Sequence, residues 1–248
     1  MYSCSFQVFK EELIVYCRIL VVSVMSMLIV AFTLSSLCYA EVFYQEDFED
    51  DGKNWEFLGN VEISDKKAHS GGKSVLIAEG TGLGDSANLL IKMPDAEIVY
   101  DVIWVYLDSA EPGSGYMYLP TWTLSPGAED WVGPHVCLRY GDGSGGVISW
   151  HSGGWFDQED MFEVGVWYKV KTIMNIKENT FDLYYQKEDE EQEVLVIEDG
   201  KFITGRGNAQ GEMPSGSENY RRIGSAFEVS AEAYYDDFFL ADKEPNLA

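Results

Sequence analysis

Alternation of apolar and polar residues with a period of two is the feature of this sequence that most constrains its fold. After residue 40 such runs recur at short intervals between glycine-rich turns, whereas helical periodicity is hard to find. A period of two is typical of β-strands, because successive side chains point to opposite faces of a sheet. The longest run, residues 97–108, is substantially apolar on both faces, which indicates a central strand of a two-layer structure. The chain is therefore predicted to be all-β.

Thirteen strands follow from this pattern, and their number and spacing predict the architecture. They cover residues 42–48, 60–64, 73–78, 87–92, 97–107, 115–124, 134–140, 146–151, 166–176, 180–187, 193–198, 223–229 and 233–241. Many short strands joined by glycine-rich turns favour a two-sheet antiparallel β-sandwich of the jelly-roll kind, with a barrel as the alternative. Residues 205–216 lack a strand pattern and are predicted to form a surface loop.

The first forty residues differ in character from the rest. Lys10 and Arg18 precede an uncharged run, residues 19–40, which ends in the small-x-small pattern Cys-Tyr-Ala. This pattern predicts a signal peptide that is cleaved after Ala40. Since about 20 apolar residues can cross a bilayer, an uncleaved N-terminal membrane anchor is the alternative. Both interpretations place residues 41–248, predicted to be a single domain, in a secreted, periplasmic or cell-surface location.

Charge and cysteine content limit the possible partners and the source of stability. The chain has 42 acidic and 17 basic residues, a formal net charge of −25, and residues 1–40 hold two of each. Such acidity argues against nucleic acid as a partner, because phosphate contacts need clustered Lys and Arg. Membrane contact is expected only if the leader is retained. Cys137 is the only cysteine after residue 40, so the domain has no intrachain disulfide and depends on its core.

Three segments carry a resemblance to known families. The opening, Asp47-Phe48-Glu49 with Trp55 and the run AHSGGKSVLI at residues 68–77, resembles the start of calcium-binding jelly-roll carbohydrate-binding modules. The run AYYDDFFL at residues 233–240 resembles the closing strand of these modules. Residues 167–171 and 181–185 are similar to paired strands of laminin-G-like domains. The chain thus resembles the concanavalin A-like lectin/glucanase group.

This resemblance implies a structural calcium ion. The first and last strands of a jelly roll commonly lie side by side, so Asp47 and Glu49 are expected to approach Asp237 and the turn that contains Lys73. Calcium takes six to eight oxygen ligands, including carboxylates and backbone carbonyls. Alternation places Asp236 and Asp237 on opposite faces, and the resemblance favours Asp237 as the ligand. The alternative is that these acids are ordinary solvated charges.

Aromatic residues are concentrated in the middle of the chain, where no family motif is found. Sugar rings have apolar faces and polar edges, so a glycan site needs flat aromatic side chains beside short polar ones. The glycine-rich segment after residue 115 supplies both. The candidate carbohydrate-binding residues are Trp122, Trp131, Tyr140, Trp150, His151 and Trp155. The alternative is that most of these aromatic residues belong to the sandwich core.

The sequence therefore predicts an exported, non-catalytic domain that binds a polysaccharide or other glycan, a neutral one being favoured by the net charge. No catalytic residue is assigned. Two alternatives remain: a polysaccharide-degrading enzyme, either a glycoside hydrolase or a lyase, and a surface adhesion protein. A lyase would use a Tyr/His pair, for which His135 or His151 with Tyr140 are candidates. Converging carboxylates, or a Tyr/His/Arg cluster on the floor of the aromatic cleft, would favour an enzyme.

Overall fold

The computed structural model describes residues 41–78, 85–110, 116–126, 130–140, 146–152, 154–205, 211–214, 216–226 and 231–244. Within these ranges the side chains at positions 110, 116, 120, 140, 155, 159–161 and 226 are not described. The predicted leader, residues 1–40, and half of the predicted loop at 205–216, namely residues 206–210 and 215, lie outside the described residues. Among the described residues, no helix is long and apolar enough to cross a membrane.

Sixteen strands are found in the described residues. They are β1 (Val42–Glu46), β2 (Trp55–Leu58), β3 (Val61–Ser64), β4 (Ser74–Ile77), β5 (Ser86–Lys92), β6 (Ile98–Ala110), β7 (Tyr116–Thr123), β8 (Trp131–Tyr140), β9 (Gly146–His151), β10 (Trp155–Phe162), β11 (Trp167–Asn175), β12 (Thr180–Lys187), β13 (Val194–Lys201), β14 (Ile203–Thr204), β15 (Glu218–Ala226) and β16 (Ala231–Ala241). The prediction of an all-β chain is confirmed.

The strands form two antiparallel sheets that pack as a sandwich. Sheet A has the order β13-β12-β11-β6-β16-β4-β3, and sheet B has the order β10-β9-β8-β7-β15-β5-β2. In addition, β1 pairs with β16 in sheet A and β14 pairs with β8. The first and last strands therefore lie side by side, with Val42 opposite Ala241, as expected for a jelly roll.

The core lies between the two sheets and follows the alternation of the central strands. In β6, Val99, Ile103 and Val105 are buried in the core, whereas Trp104 and Tyr106 lie on the outer face of sheet A. Strand β6 is hydrogen bonded on both sides, to β11 and to β16. This arrangement confirms the prediction of a central strand that is apolar on both faces.

One ion pair lies inside this core. The Asp101 carboxylate accepts hydrogen bonds from Arg221 Nε at 2.7 Å and Arg221 Nη2 at 3.2 Å. The same carboxylate accepts a hydrogen bond from Trp122 Nε1 at 3.2 Å. Asp101 lies in sheet A and Arg221 in sheet B, so the ion pair joins the two layers. A buried charge needs such a partner, because removal from water is otherwise very costly.

Some strand boundaries differ from the prediction, for identifiable reasons. Strands β2, β10 and β14 were not predicted; β10 is rich in acidic residues, and β2 and β14 have only four and two residues. Strand β15 begins at Glu218 rather than at residue 223. The start of this strand was not predicted, because adjacent arginines such as Arg221 and Arg222 are uncommon in the middle of a sheet.

Candidate functional site

A row of polar side chains crosses the outer face of sheet B. Arg222 in β15 pairs with Asn88 in β5 and with Thr121 in β7, and Thr121 pairs with His135 in β8. The pairing of β8 with β9 then sets His135 beside His151. We call these five residues the polar row. Core residues such as Val136 and Ile223 alternate with the row, so its side chains face away from the core.

Aromatic rings accompany the polar row. The Arg222 guanidinium carbon lies 4.7 Å from the centre of the Tyr118 ring. The Tyr118 and His135 rings lie 5.7 Å apart, and the Trp131 and His135 rings lie 4.2 Å apart with a 34° tilt. A tyrosine, a histidine and an arginine therefore meet in the middle of sheet B, with a tryptophan beside them.

Asn88 Oδ1, an acceptor, and Trp131 Nε1, a donor, are buried polar atoms on this face that have no hydrogen-bond partner within the described part of the chain. The Asn88 amide is oriented by its Nδ2 group, which donates to Ser86 Oγ at 2.9 Å. Because buried polar atoms are nearly always paired, a ligand that supplies both a donor and an acceptor would satisfy these two atoms.

The polar row is buried, and its burial has an electrostatic consequence. Arg222 and His135 are each 1% exposed, and His151 is 4% exposed. Desolvation by burial, together with the charges of His151 and Arg222, lowers the pKa of His135 from 6.5 to about 3. His135 is therefore a neutral imidazole at physiological pH, with one nitrogen that donates and one that accepts.

A second polar group lies one row away on the same face. Arg139 Nη1 donates to both oxygens of Asp157, at 3.1 and 3.0 Å, and Ser149 Oγ donates to Asp157 Oδ1. The side chains of Arg139 and Asp157 are 42% and 45% exposed. Between this pair and Tyr118 lies Cys137, a buried thiol whose pKa is raised by desolvation. Cys137 is thus a packed strand residue.

The structure brings together only part of the predicted carbohydrate-binding set. Trp131 and His151 lie on the outer face of sheet B, next to His135. Trp122 lies on the inner face of sheet B, in the core, where its indole N–H donates to Asp101, so it is not part of the outer face. Trp150 packs against the core and stacks with Phe156 at 5.5 Å. The side chains of Tyr140 and Trp155 lie outside the described residues.

The residues predicted to bind calcium surround a single loop. Glu49 Oε1 accepts hydrogen bonds from the backbone N–H groups of Gly72 and Lys73, at 2.6 and 2.8 Å. Lys73 Nζ donates to the Glu49 carbonyl at 3.2 Å and to Asp51. These backbone hydrogen bonds lower the pKa of Glu49. Asp47 is exposed and accepts a hydrogen bond from the Glu49 N–H at 3.2 Å.

Asp236 and Asp237 both face this loop, contrary to the expectation that they lie on opposite faces. The register of β16 slips between Asp236 and Phe239, and Asp237 has a φ of 46°. Asp236 Oδ2 accepts from the backbone N–H groups of His69 and Ser70, at 2.7 and 3.2 Å. Asp237 contacts His69 Nδ1 at 2.6 Å and accepts from Ser70 Oγ at 2.7 Å. A β-bulge therefore cancels the alternation on which the expectation rested.

These contacts bear on whether the loop fits calcium. Glu49, Asp236 and Asp237 supply carboxylate oxygens, the ligands that calcium prefers, and one short loop holds all three. In this state hydrogen bonds from the chain's own groups occupy the two aspartates. Among the described residues, no group of three or more His, Cys, Asp or Glu side chains has metal-site geometry. The chemistry of the donors fits calcium, and the calcium site stays a prediction.

A pocket of ≈ 440 Å³ lies beside this loop on the outer face of sheet A, and Gln45, Glu188 and Trp104 are among its lining residues. The His69 ring stacks on Trp104, with 3.6 Å between the ring centres and a 14° tilt. One face of this tryptophan is therefore occupied by the chain itself, and Trp131 on sheet B likewise has the His135 ring against it.

Sequence reasoning missed Asn88, Tyr118, Thr121 and Arg222. Arg222 was missed because the strand was predicted to begin one residue later, and its partners lie in three different strands. A usable signal was present, since two adjacent arginines are conspicuous in a chain with only 17 basic residues.

Solved structures share this arrangement of sheets. The exoplasmic/lumenal domain of VIP36, in a form with Ca2+ and Man2 bound, matches with a TM-score of 0.55 and 10% identity, over 84% of this chain and 91% of that chain. The cellulose induced protein Cip1 matches with a TM-score of 0.52 and 14% identity, over 83% of this chain and 100% of that chain. Peanut lectin matches with a TM-score of 0.50 and 8% identity, over 82% of this chain and 98% of that chain.

No protein-family model and no curated protein sequence matches the chain. At identities this low, the structural matches show the fold. The chain has the concanavalin A-like lectin, jelly-roll β-sandwich fold that its two ends and its internal strand pair indicated.

Proposed function

We propose that this protein is an exported carbohydrate-binding domain whose glycan site is the outer face of sheet B. The observation that carries the proposal is the pair of unpartnered buried atoms, Asn88 Oδ1 and Trp131 Nε1, on one polar and aromatic face. Sugar hydroxyls both donate and accept hydrogen bonds, and sugar rings stack on indoles, so a glycan supplies what this face lacks.

The fold supports the same proposal. Peanut lectin is a lectin, and the VIP36 domain was solved with Man2 bound. Fold alone does not establish function, so the proposal depends on the residues of the outer face of sheet B. The net charge of −25 repels polyanions at long range and favours a neutral or weakly charged glycan.

The binding test is a glycan array probed with the secreted protein, followed by calorimetry on each hit. We expect binding of modest affinity that depends little on salt, and its loss in Asn88→Ala. Gln45→Ala is the matched control, since it removes an exposed side-chain amide from β1 in sheet A and should leave binding intact. Failure to bind any glycan would leave the surface adhesion protein as the better hypothesis.

A structural calcium ion is part of the proposal. It would be held by Glu49 and Asp237, with oxygens of the loop that contains Lys73, and would bind this loop to β16. Binding to the folded state at a hundredfold excess over Kd adds about 2.7 kcal/mol of stability. A chelator should therefore lower the melting temperature by several degrees, and the response should vanish in Asp237→Asn. Identical melting curves with and without chelator would remove calcium from the proposal.

Export is also proposed, with cleavage after Ala40. The secreted product should then begin at Glu41, which the intact mass of protein expressed with its own leader would show. A membrane-bound product that retains residues 1–40 would instead support the anchor.

A second candidate function is a polysaccharide lyase, favoured by the cluster of Tyr118, His135 and Arg222. In β-elimination a base removes the proton next to a carboxylate, the neighbouring C–O bond breaks, a C=C bond forms, and the leaving oxygen takes up a proton. Arg222 can stabilise the carboxylate, but a pKa of about 3 makes His135 a weak base, which is why the lyase is the second candidate. The described carboxylates of this face, Glu56, Asp157 and Glu218, lie in β2, β10 and β15, no two of which are neighbours in sheet B, and this spacing disfavours a retaining hydrolase.

Product analysis separates the two candidates. Incubation with each glycan that binds should leave it intact if the domain is lectin-like. New unsaturated ends, with their ultraviolet absorbance, would identify a lyase, and their loss in His135→Gln would assign the base.

A further inference from the structure

The pocket on the outer face of sheet A lies on the opposite side of the sandwich from the polar row. Its volume of ≈ 440 Å³ is within the range of small-molecule sites. Its wall contains Gln45 of β1, Trp104 of β6, Glu188, which follows β12, and Asp237 and Phe239 of β16. The pocket thus places aromatic rings next to carboxylates, and the glycan proposed for sheet B does not occupy it.

Trp104 is held in one orientation in this pocket. One face of its ring stacks on His69, with 3.6 Å between the ring centres. His69 is in turn fixed by Asp237, whose Oδ2 lies 2.6 Å from His69 Nδ1. Among the described residues, no second ring lies against Trp104, and its side chain is only half-buried. The pocket therefore has a preformed indole surface.

Two other aromatic rings on the outer face of sheet A already carry a cation. Lys67 Nζ lies 4.5 Å from the centre of the Tyr106 ring, and Lys171 Nζ lies 4.8 Å from the centre of the Tyr184 ring. Trp104 has no lysine or arginine over it within the described part of the chain, although an indole attracts a cation more strongly than a phenol does. The ring best suited to a cation is thus the one that lines the pocket.

The charge in the pocket wall is also unbalanced. Glu188 is exposed, and its carboxylate has no ion-pair or hydrogen-bond partner among the described residues. The nearby lysines are paired elsewhere, Lys187 with Glu163 at 3.1 Å and Lys169 with Glu193 at 2.9 Å. A cation that enters the pocket finds a free carboxylate, and the net charge of −25 attracts it from a distance.

We propose that this pocket binds an organic cation, a methylated ammonium group on a small body, with the ammonium against Trp104 and next to the Glu188 carboxylate. A metal ion would need several oxygen ligands in exchange for its water, whereas a methylated ammonium is weakly hydrated and buries its methyl groups against Trp104 and Phe239. The inference goes beyond the proposed function, because it concerns a separate site and a different class of ligand.

The first test changes one atom of the ligand. Choline is compared with its carbon isostere, an alcohol of the same shape in which a quaternary carbon replaces the charged nitrogen. Each is titrated into the secreted protein at constant ionic strength, and NMR follows the indole N–H signal of Trp104, assigned by its loss in Trp104→Phe. We expect saturable binding of choline, about 2- to 30-fold tighter than that of the isostere, which is the range of a cation–π contact.

A methylated ammonium can be free or can belong to a lipid headgroup. Glycerophosphocholine carries the same ammonium with a phosphate, which the carboxylates of Glu188 and Asp237 repel. We expect it to bind more weakly than choline, which would identify a free cation as the ligand. Tighter binding would support the site and identify the headgroup as the source of the cation.

The second test changes the protein. Glu188→Gln should weaken choline binding severalfold and leave the affinity for the isostere unchanged. Glu191→Gln is the matched control, since Glu191 is an exposed acid in the same connection between β12 and β13 and does not line the pocket. Both variants remove one negative charge from an exposed position, so a difference between them separates a contact in the pocket from general attraction to an acidic chain. Melting curves check that both variants fold.

Three results would overturn the inference: no saturable shift with choline, equal affinities for choline and its isostere, or equal losses in Glu188→Gln and Glu191→Gln. Asn88→Ala distinguishes this inference from the proposed function, because it should abolish glycan binding on sheet B and leave choline binding unchanged. Failure to bind any glycan would likewise leave the cation site in place.

Discussion

Arg221 and Arg222 are neighbours in sequence, yet they lie in two different regions of the molecule. Arg221 points into the core, where Asp101 meets it and Leu119 and Arg222 supply carbonyl oxygens. Arg222 points to the outer face of sheet B, among Asn88, Thr121, Tyr118 and His135. Because successive side chains of a strand point to opposite faces, Arg221 forms an ion pair in the core and Arg222 lies on the polar outer face.

The difference shows how one strand contributes one residue to the core and the next residue to the outer face of sheet B. The inner arginine is bound by a carboxylate from the opposite sheet, so its role is to hold the layers together. The outer arginine lies on a face where an amide oxygen and an indole N–H have no partner among the described residues. Burial is the same in both regions, with Arg221 at 0% and Arg222 at 1% exposure, so burial alone does not identify the role.

The largest expected change in unfolding free energy comes from removing the arginine in the core. Arg221→Met leaves the Asp101 carboxylate buried without its cation, which should cost about 3–5 kcal/mol of unfolding free energy. Chemical denaturation measures this loss. The double variant Asp101→Asn/Arg221→Met removes both charges and should recover part of it. If the single and double variants were equally unstable, the loss would come from packing rather than from the unpaired charge.

A second prediction tests the polar row through pH. His135 has a folded pKa of about 3, below its ordinary value of 6.5, so the folded state binds fewer protons than the unfolded state between these values. Its contribution to stability is therefore present above pH 6.5 and is lost as the pH falls. One such group changes stability by about 1.4 kcal/mol per pH unit, or about 2 kcal/mol between pH 6.5 and pH 5.

The measurement compares the wild-type protein with His135→Gln in denaturant at both pH values. The variant should show a smaller loss of stability by that amount, because glutamine does not titrate. Parallel pH dependences in the two proteins would mean that His135 is already protonated, or solvated, in the folded state.

A third prediction compares the tryptophans of the two outer faces. Trp131→Ala should weaken glycan binding severalfold, since a stacked aromatic ring contributes about 1 kcal/mol beyond its area. Trp104→Ala removes the ring that His69 stacks on and should leave glycan affinity unchanged. Calorimetry on a glycan hit, with melting curves as the folding control, makes the comparison. The reverse result would move the glycan site to the pocket on sheet A.

The smallest expected effect concerns a partly buried ion pair on the outer face of sheet A, whose acidic residue contacts two lysines. Lys169 Nζ lies 2.9 Å from Glu193, which Lys171 also contacts. Because Lys171 remains to pair with Glu193, Lys169→Ala should change the unfolding free energy by less than about 1 kcal/mol. A loss as large as that of Arg221→Met would show that the outer face of sheet A also holds charges essential to the fold.

Sequence patterns were sufficient wherever a strand alternates without interruption. The two-sided apolar run of β6 predicted a central strand, and the resemblance of both ends predicted the pairing of β1 with β16. Trp131 and His151 were predicted as site residues because they are an indole and an imidazole in a glycine-rich segment. Both lie on the outer face of sheet B.

The rest could not be predicted because it depends on register. Each residue of the polar row comes from a different strand, and only the pairing of these strands aligns them. Trp122 was selected by the same composition as Trp131, but an irregularity in the pairing of β7 with β8 near Thr121 and Thr123 accompanies its inward orientation. The bulge at Asp237 likewise has no signal in an alternating pattern.

The pairing of the first strand with the last also decides how this domain can be built into longer chains. The N–H group of Glu41 donates to Asp242 Oδ1 at 2.7 Å, and the N–H group of Asp242 donates to the Glu41 carbonyl at 3.2 Å. Entry and exit points this close allow a module to be inserted into a surface loop of a host protein without separating the host's own ends. They also allow circular permutation, in which a short linker joins position 242 to position 41 and a new opening is made in a distant turn.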